Sequence, residues 1–155
     1  MKYLKNYLTD EECKYIIDSC KNKPRKQNRY EITRFSLPKS VETKLQETLA
    51  PNRVTGAIQC YEPGDSFSPH RDYIWVTDDG KESYARDREQ SMSILLNDDF
   101  EGGDLMIEYK KAHMNKGDAT LFSAKDLHWV TGVWEGTRYV LSAWGMRSYK
   151  FEKIE

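Results

Sequence analysis

His70 and Asp72 stand two residues apart, and a second histidine, His128, follows 58 residues after the first. Two imidazoles and one carboxylate are the ligand set that grips a non-heme Fe(II) by one face and leaves three coordination positions open for chemistry. No cysteine sits beside them, which argues against a structural zinc site. Arg138, ten residues past the distal histidine, offers a planar, always-charged fork suited to a carboxylate. A His-x-Asp tripeptide is common by chance, so the pair gains meaning only with His128 and Arg138 placed in strands. The remaining histidine, His113, sits in a lysine-rich turn and is given no role.

Those side chains need elements to position them. Alternate residues of a strand share a face, so a strand over residues 67–75 projects His70 and Asp72 together and Arg71 the opposite way. Two ligands from one strand cannot enclose a metal, and His128, opening a strand over 128–133, is the obvious third. In a last strand over 137–147, Arg138, Val140, Ser142 and Trp144 share one face, with Tyr139, Leu141 and Ala143 on the other. If the first face is inward, Arg138 is buried and needs an anion. A dicarboxylate would supply it, with Ser142 sharing in the grip. If the second face is inward, Arg138 is merely exposed.

The rest of the chain reads as support. Thr9-Asp10-Glu11-Glu12 is a capping box opening a helix to about Lys21, with Cys13, Ile16, Ile17 and Cys20 as its apolar stripe. Residues 21–29 are a basic connector, either a clamp for an acidic partner or a solvated loop. A second helix is expected over 39–49, ended by Pro51. Beyond it, further strands are predicted at 53–61, 91–97, 104–109 and 119–123. Turns are predicted at 63–65, 98–103, 115–118 and 134–136. The polar stretch 76–90 is read as irregular, a lid or disordered. The fold class expected is α+β and mainly β, a jelly roll with N-terminal helices packed on one sheet.

At 155 residues the chain reads as one domain, with helical support over 1–51 and a strand core over 52–150. A net charge of -1 exerts no global pull on nucleic acid or membrane. No run approaches the roughly 18 apolar residues of a membrane span, and the N-terminus does not lead into a signal-type apolar region. Cys13, Cys20 and Cys60 fit reduced thiols. A soluble, cytoplasmic monomer is expected.

The motifs resemble those of the 2-oxoglutarate- and Fe(II)-dependent dioxygenases, in their prolyl-hydroxylase-like branch. Tyr61-Glu62-Pro63-Gly64-Asp65-Ser66-Phe67-Ser68-Pro69-His70-Arg71-Asp72 is similar to the family's strand pair bearing the first two ligands. Ser93-Ile94-Leu95-Leu96-Asn97, running on through Phe100 to Gly102-Gly103-Asp104-Leu105, matches its next segment. Lys116-Gly117-Asp118 and Leu127-His128-Trp129-Val130 follow in order, and Gly136-Thr137-Arg138-Tyr139-Val140-Leu141-Ser142-Ala143-Trp144 is close to the closing strand. The likeness runs over roughly residues 53–147.

The resemblance implies a double-stranded β-helix, cupin-like, with Fe(II) on His70, Asp72 and His128. It implies 2-oxoglutarate as cosubstrate on that metal, Arg138 paired with its far carboxylate, and Tyr61 hydrogen-bonded to the same group. O2 would be the oxidant, ascorbate a reductant, and succinate and CO2 the products beside a hydroxylated substrate. Trp144, with Arg71 and Tyr73, is a candidate for the substrate pocket. Trp129 is read as core.

Two departures stand out. Arg138 replaces the lysine of many prolyl 4-hydroxylases, which leaves carboxylate binding intact. Leu105 replaces a threonine of the collagen-type members and removes one hydrogen bond to the cosubstrate. The presence of Asp72 argues against the halogenating branch. The spacing from Arg138 to Arg147 differs from that of the nucleic-acid dealkylating branch. The expected substrate is a prolyl residue of a peptide or protein; a free amino acid or small molecule, or a metal-binding module without turnover, are the alternatives.

Overall fold

Thr9 opens the first helix as its side chain dictates. Its hydroxyl accepts from the Glu12 backbone N–H at 3.1 Å, and the Glu12 carboxylate accepts from the Thr9 N–H at 2.9 Å. The helix α1 that follows runs Asp10–Cys20, and α2 runs Lys39–Leu49, both close to expectation. The structure is a computed structural model describing residues 1–21, 23–25, 29–31, 37–76, 82–84 and 87–147, with 29, 31, 74–76 and 82–84 described by backbone alone. No described helix is long and apolar enough to cross a membrane.

Fourteen strands are described: β1 (Lys2–Leu4), β2 (Arg29–Glu31), β3 (Arg53–Tyr61), β4 (Phe67–His70), β5 (Ile74–Val76), β6 (Glu82–Tyr84), β7 (Arg88–Leu95), β8 (Phe100–Gly102), β9 (Leu105–Ile107), β10 (Lys110–Lys111), β11 (Ala119–Ser123), β12 (His128–Val130), β13 (Val133–Gly136) and β14 (Arg138–Met146). Six of them form one sheet in the order β1-β11-β7-β14-β3-β2, and four a second in the order β10-β9-β12-β4. Two-stranded ribbons, β13-β8 and β5-β6, complete the set. Every pairing is antiparallel, and most neighbours in the two larger sheets (β1-β11, β11-β7, β7-β14, β14-β3, β9-β12, β12-β4) are far apart in sequence, the signature of a jelly roll.

Alternation along the long strands sorts two apolar clusters onto opposite faces of the large sheet. Ile58, Met92, Ile94, Leu141 and Ala143 pack against Cys13, Ile16, Val41, Leu45 and Leu49 of the helices. Tyr61, Leu105, Ile107, Phe122, Val130 and Val133 fill the other cluster. Fully burying each such aliphatic chain contributes roughly 1.5–3 kcal/mol. The helices therefore support one sheet from outside, as expected. Cys13, Cys20 and Cys60 are buried free thiols.

Several local readings change. The strand expected over 67–75 stops at His70, and Asp72 and Tyr73 form a turn before β5. Part of the stretch 76–90 is ordered as the β5-β6 ribbon and the start of β7; its residues 77–81 and 85–86 lie outside the described set. Strand β2 occupies the end of the basic connector, whose residues 22 and 26–28 are likewise outside it. The turns expected at 98–103 and 134–136 contain β8 and β13, which pair with each other. The span 128–133 divides into β12 and the start of β13, and 104–109 ends at Ile107. Short polar strands of this kind carry too little alternation to be read locally; their partner strands hold them.

Candidate active site

The register of β12 against β4 sets His128 opposite His70, and the two rings lie 4.2 Å apart between centroids. Asp72 reaches the same point from the turn after β4. Its Oδ1 is 3.3 Å from His70 Nε2 and 3.2 Å from His128 Nε2. The three ligand atoms lie within 4.8 Å of one another. Strand alternation thus predicts the right meeting for a reason that differs from the observed one, since Asp72 arrives by way of a turn.

The histidines are set up to ligate through Nε2. His70 Nδ1 lies 2.7 Å from the Ser68 carbonyl oxygen, and His128 Nδ1 lies 3.0 Å from that of Asp126. A proton held at each Nδ1 leaves the Nε2 lone pair free, the tautomer a divalent metal requires. Phe67 stacks on His70, and Phe122 meets His128 edge-on, which shields the pair on one side. Burial alone would push the Asp72 carboxyl up. Hydrogen bonds from His128, His70 and Ser91 outweigh it, so Asp72 is held far below the usual carboxylate range. Burial alone would lower His128, yet the Asp72 carboxylate raises it above the ordinary imidazole value. A dicationic metal held by these three groups would take the place of that proton.

Arg138 lines the same cavity, together with Gln59, Tyr61, Leu105, Ser142 and Trp144. Its residue exposure is 3%, so of the two faces open to β14 the one bearing Arg138 is inward. The guanidinium Nε is buried without a hydrogen-bond partner. No ion pair to Arg138 exists among the described residues, and the Tyr61 ring lies 5.3 Å from its Cζ. Burial pushes this arginine below its usual range. A cation so placed calls for an anion inside the cavity. Gly103, at φ +67°, leaves room for the Arg138 side chain itself: a Cβ there would come within 2.8 Å of Arg138 Cδ.

The other expected residues fall as follows. Tyr61 is fully buried, its hydroxyl donating to Gln59 Oε1 at 3.2 Å, and Ser142 Oγ donates to the same oxygen at 3.0 Å. Gln59 was not singled out in the sequence, although it shares the inward face of β3 with Tyr61. Trp144 lines the cavity, and its indole N–H donates to Asp72 Oδ2 at 3.0 Å. Leu105 presents an apolar wall beside Arg138. Arg71 points elsewhere: it donates to the Lys125 carbonyl and lies 3.8 Å from Glu108. Tyr73 is half-buried and is not among the cavity-lining residues; its backbone N–H donates to the Ala124 carbonyl. Trp129 lies outside both apolar clusters, half-buried against the Tyr109 ring 5.3 Å away. It follows His128 in β12 and therefore takes the outer face of the four-stranded sheet.

Known proteins are similar to this chain in sequence and in fold. A PKHD-type hydroxylase of Teredinibacter turnerae is 27% identical over 111 residues, covering 69% of this chain and 47% of that protein. The chain therefore spans about half the length of this relative. In fold it is similar to a viral collagen prolyl hydroxylase from Paramecium Bursaria Chlorella virus-1, solved with 2-oxoglutarate, at a TM-score of 0.73, 19% identity and 96% coverage of both chains. A Pseudomonas putida prolyl-4-hydroxylase gives a TM-score of 0.68 at 16% identity, covering 96% of this chain and 92% of its own. Residues 56–146, from the middle of β3 to the end of β14, match the profile of the 2OG-Fe(II) oxygenase superfamily, and the chain belongs to that superfamily.

Proposed function

We propose that this protein is an Fe(II)- and 2-oxoglutarate-dependent dioxygenase that hydroxylates an unactivated C–H bond, with a prolyl residue of a peptide or protein as its substrate. The observation that carries this reading is the unpaired, buried Arg138 guanidinium in the same cavity as three convergent ligand atoms. His70, Asp72 and His128 would hold the metal. A bound iron supplies the redox chemistry that couples O2 to decarboxylation of 2-oxoglutarate, giving succinate, CO2 and a hydroxylated product.

The protein's own part is binding, orientation and exclusion of water. Arg138 would hold the far carboxylate of the cosubstrate, its guanidinium N–H groups donating to the carboxylate oxygens. Tyr61 and Ser142, now bonded to Gln59, are free to turn a hydroxyl toward that carboxylate. Phe67, Phe122, Leu105 and Trp144 keep the cavity wall apolar. The prolyl preference draws support from the prolyl hydroxylases that share the fold and from the PKHD-type relative.

The test is succinate formation by Fe(II)-loaded protein given 2-oxoglutarate and O2, beside His128→Ala and Arg138→Ala. Turnover should vanish in the first. In the second, half-saturation should need at least ~10-fold more cosubstrate, as loss of a charged bidentate contact implies. Stimulation by proline-containing peptides, and not by free amino acids or alkylated oligonucleotides, is expected. Iron-loaded, folded protein that forms no succinate with any of them would identify a binding module instead.

A further inference from the structure

Asp72 has two oxygens, and the fold treats them differently. Oδ1 faces both imidazoles. Oδ2 accepts from Ser91 Oγ at 2.6 Å and from Trp144 Nε1 at 3.0 Å. All three residues are buried: Ser91 is 0% exposed, and Asp72 and Trp144 are 7% each.

We propose that Ser91 and Trp144 are positioning residues that hold Asp72 as a single-oxygen ligand, Oδ1 presented to the metal and Oδ2 withheld from it. This rests on the metal-binding reading above and deepens it. Ser91 and Trp144 are register partners on neighbouring strands β7 and β14 of the large sheet. Asp72 comes from the turn after β4, in the smaller sheet. The clamp therefore spans the two sheets and fixes the carboxylate's rotation about its own axis. Arg88 reinforces it, lying 3.9 Å over the Trp144 ring while donating to the Asp72 carbonyl oxygen at 3.2 Å.

The chemical consequence is a count of coordination positions. Three one-atom ligands leave three positions on a six-coordinate metal, enough for a two-atom chelating cosubstrate and one more ligand. Chelation by both Asp72 oxygens would leave only two. It would also displace at least one of the Ser91 hydroxyl and the Trp144 indole from Oδ2, leaving a buried donor without an acceptor, which is unfavourable. Groups that orient metal ligands in this way typically change metal affinity by about 10- to 100-fold when removed.

The experiment titrates Mn(II) into metal-free protein and follows the free-ion paramagnetic resonance signal, then records the visible spectrum of Co(II)-loaded samples. Wild type, Trp144→Phe, Ser91→Ala and His128→Ala are compared. Trp144→Phe and Ser91→Ala should each weaken Mn(II) binding by about 10-fold. Each should also alter the Co(II) bands, a change that a purely structural defect does not produce in a protein still melting cooperatively. If Trp144→Phe does not fold, Ser91→Ala, which removes a single oxygen atom, decides alone. Wild type and both variants binding Mn(II) alike with one Co(II) spectrum would overturn the clamp and leave the metal site standing. Wild type that binds no Mn(II), like His128→Ala, would overturn both readings.

Discussion

Gly103 shows how much of this site hangs on single atoms. Its φ of +67° and the 2.8 Å approach to both Arg138 Cδ and Val133 Cγ2 leave no place for a methyl group. Gly64 has a similar backbone, at φ +95°, but open space around it. Gly64→Ala should thus cost only the backbone strain, about 1 kcal/mol. Gly103→Ala should cost about 2–3 kcal/mol and displace Arg138, raising the 2-oxoglutarate needed for half-saturation while leaving Mn(II) affinity near wild type. Denaturant melts and cosubstrate titrations of the two variants check this. At this scale the sequence was most legible for His70, Asp72, His128 and Arg138, because charged and imidazole side chains brought inside a fold demand a partner. It was least legible for Gln59 and Ser91, whose neutral side chains gain meaning only from the groups they face.

At the scale of elements, Glu12 joins the helices. It closes the capping box of α1 and also accepts from Ser40 Oγ and Lys44 Nζ of α2, each at 2.6 Å. Burial alone would raise its carboxyl. The hydrogen bonds from Lys44, Ser40 and the Thr9 backbone win and hold it at about 2, against 4.5 ordinarily. A group depressed in this way contributes stability that is complete above the unfolded value of 4.5 and is lost as pH falls through about 2. Glu12→Gln should therefore lower stability by about 2 kcal/mol at neutral pH, and the gap from wild type should close as acid is added over that window. Chemical denaturation at a series of pH values measures it. The capping box itself was readable, being local in sequence; the contact to α2 was not, since 28 and 32 residues separate the partners.

For the whole molecule, the ligands come from a sheet and a turn that must be docked before a metal can be held, so metal binding and folding are linked. A divalent ion at 100 times its dissociation constant stabilises the native state by about 2.7 kcal/mol. For a domain of this size that corresponds to a rise in Tm of roughly 5–10 °C. Calorimetry with Mn(II) should show this rise, chelator should reverse it, and His128→Ala should show little of it.

The sequence by itself determined which residues can do chemistry, which face of β14 they share, and where the helices begin and end. These follow from side-chain identity and from periodicities that act over a few residues. Only the tertiary structure decided that the face bearing Arg138 is inward, that Asp72 enters from a turn, and that Ser91 and Trp144 stand side by side beneath it. It also gave the segments read as turns to β8 and β13. Those outcomes depend on cross-strand register and on the docking of one sheet over another. Both are set by pairings between residues far apart in the chain, and no local pattern encodes them.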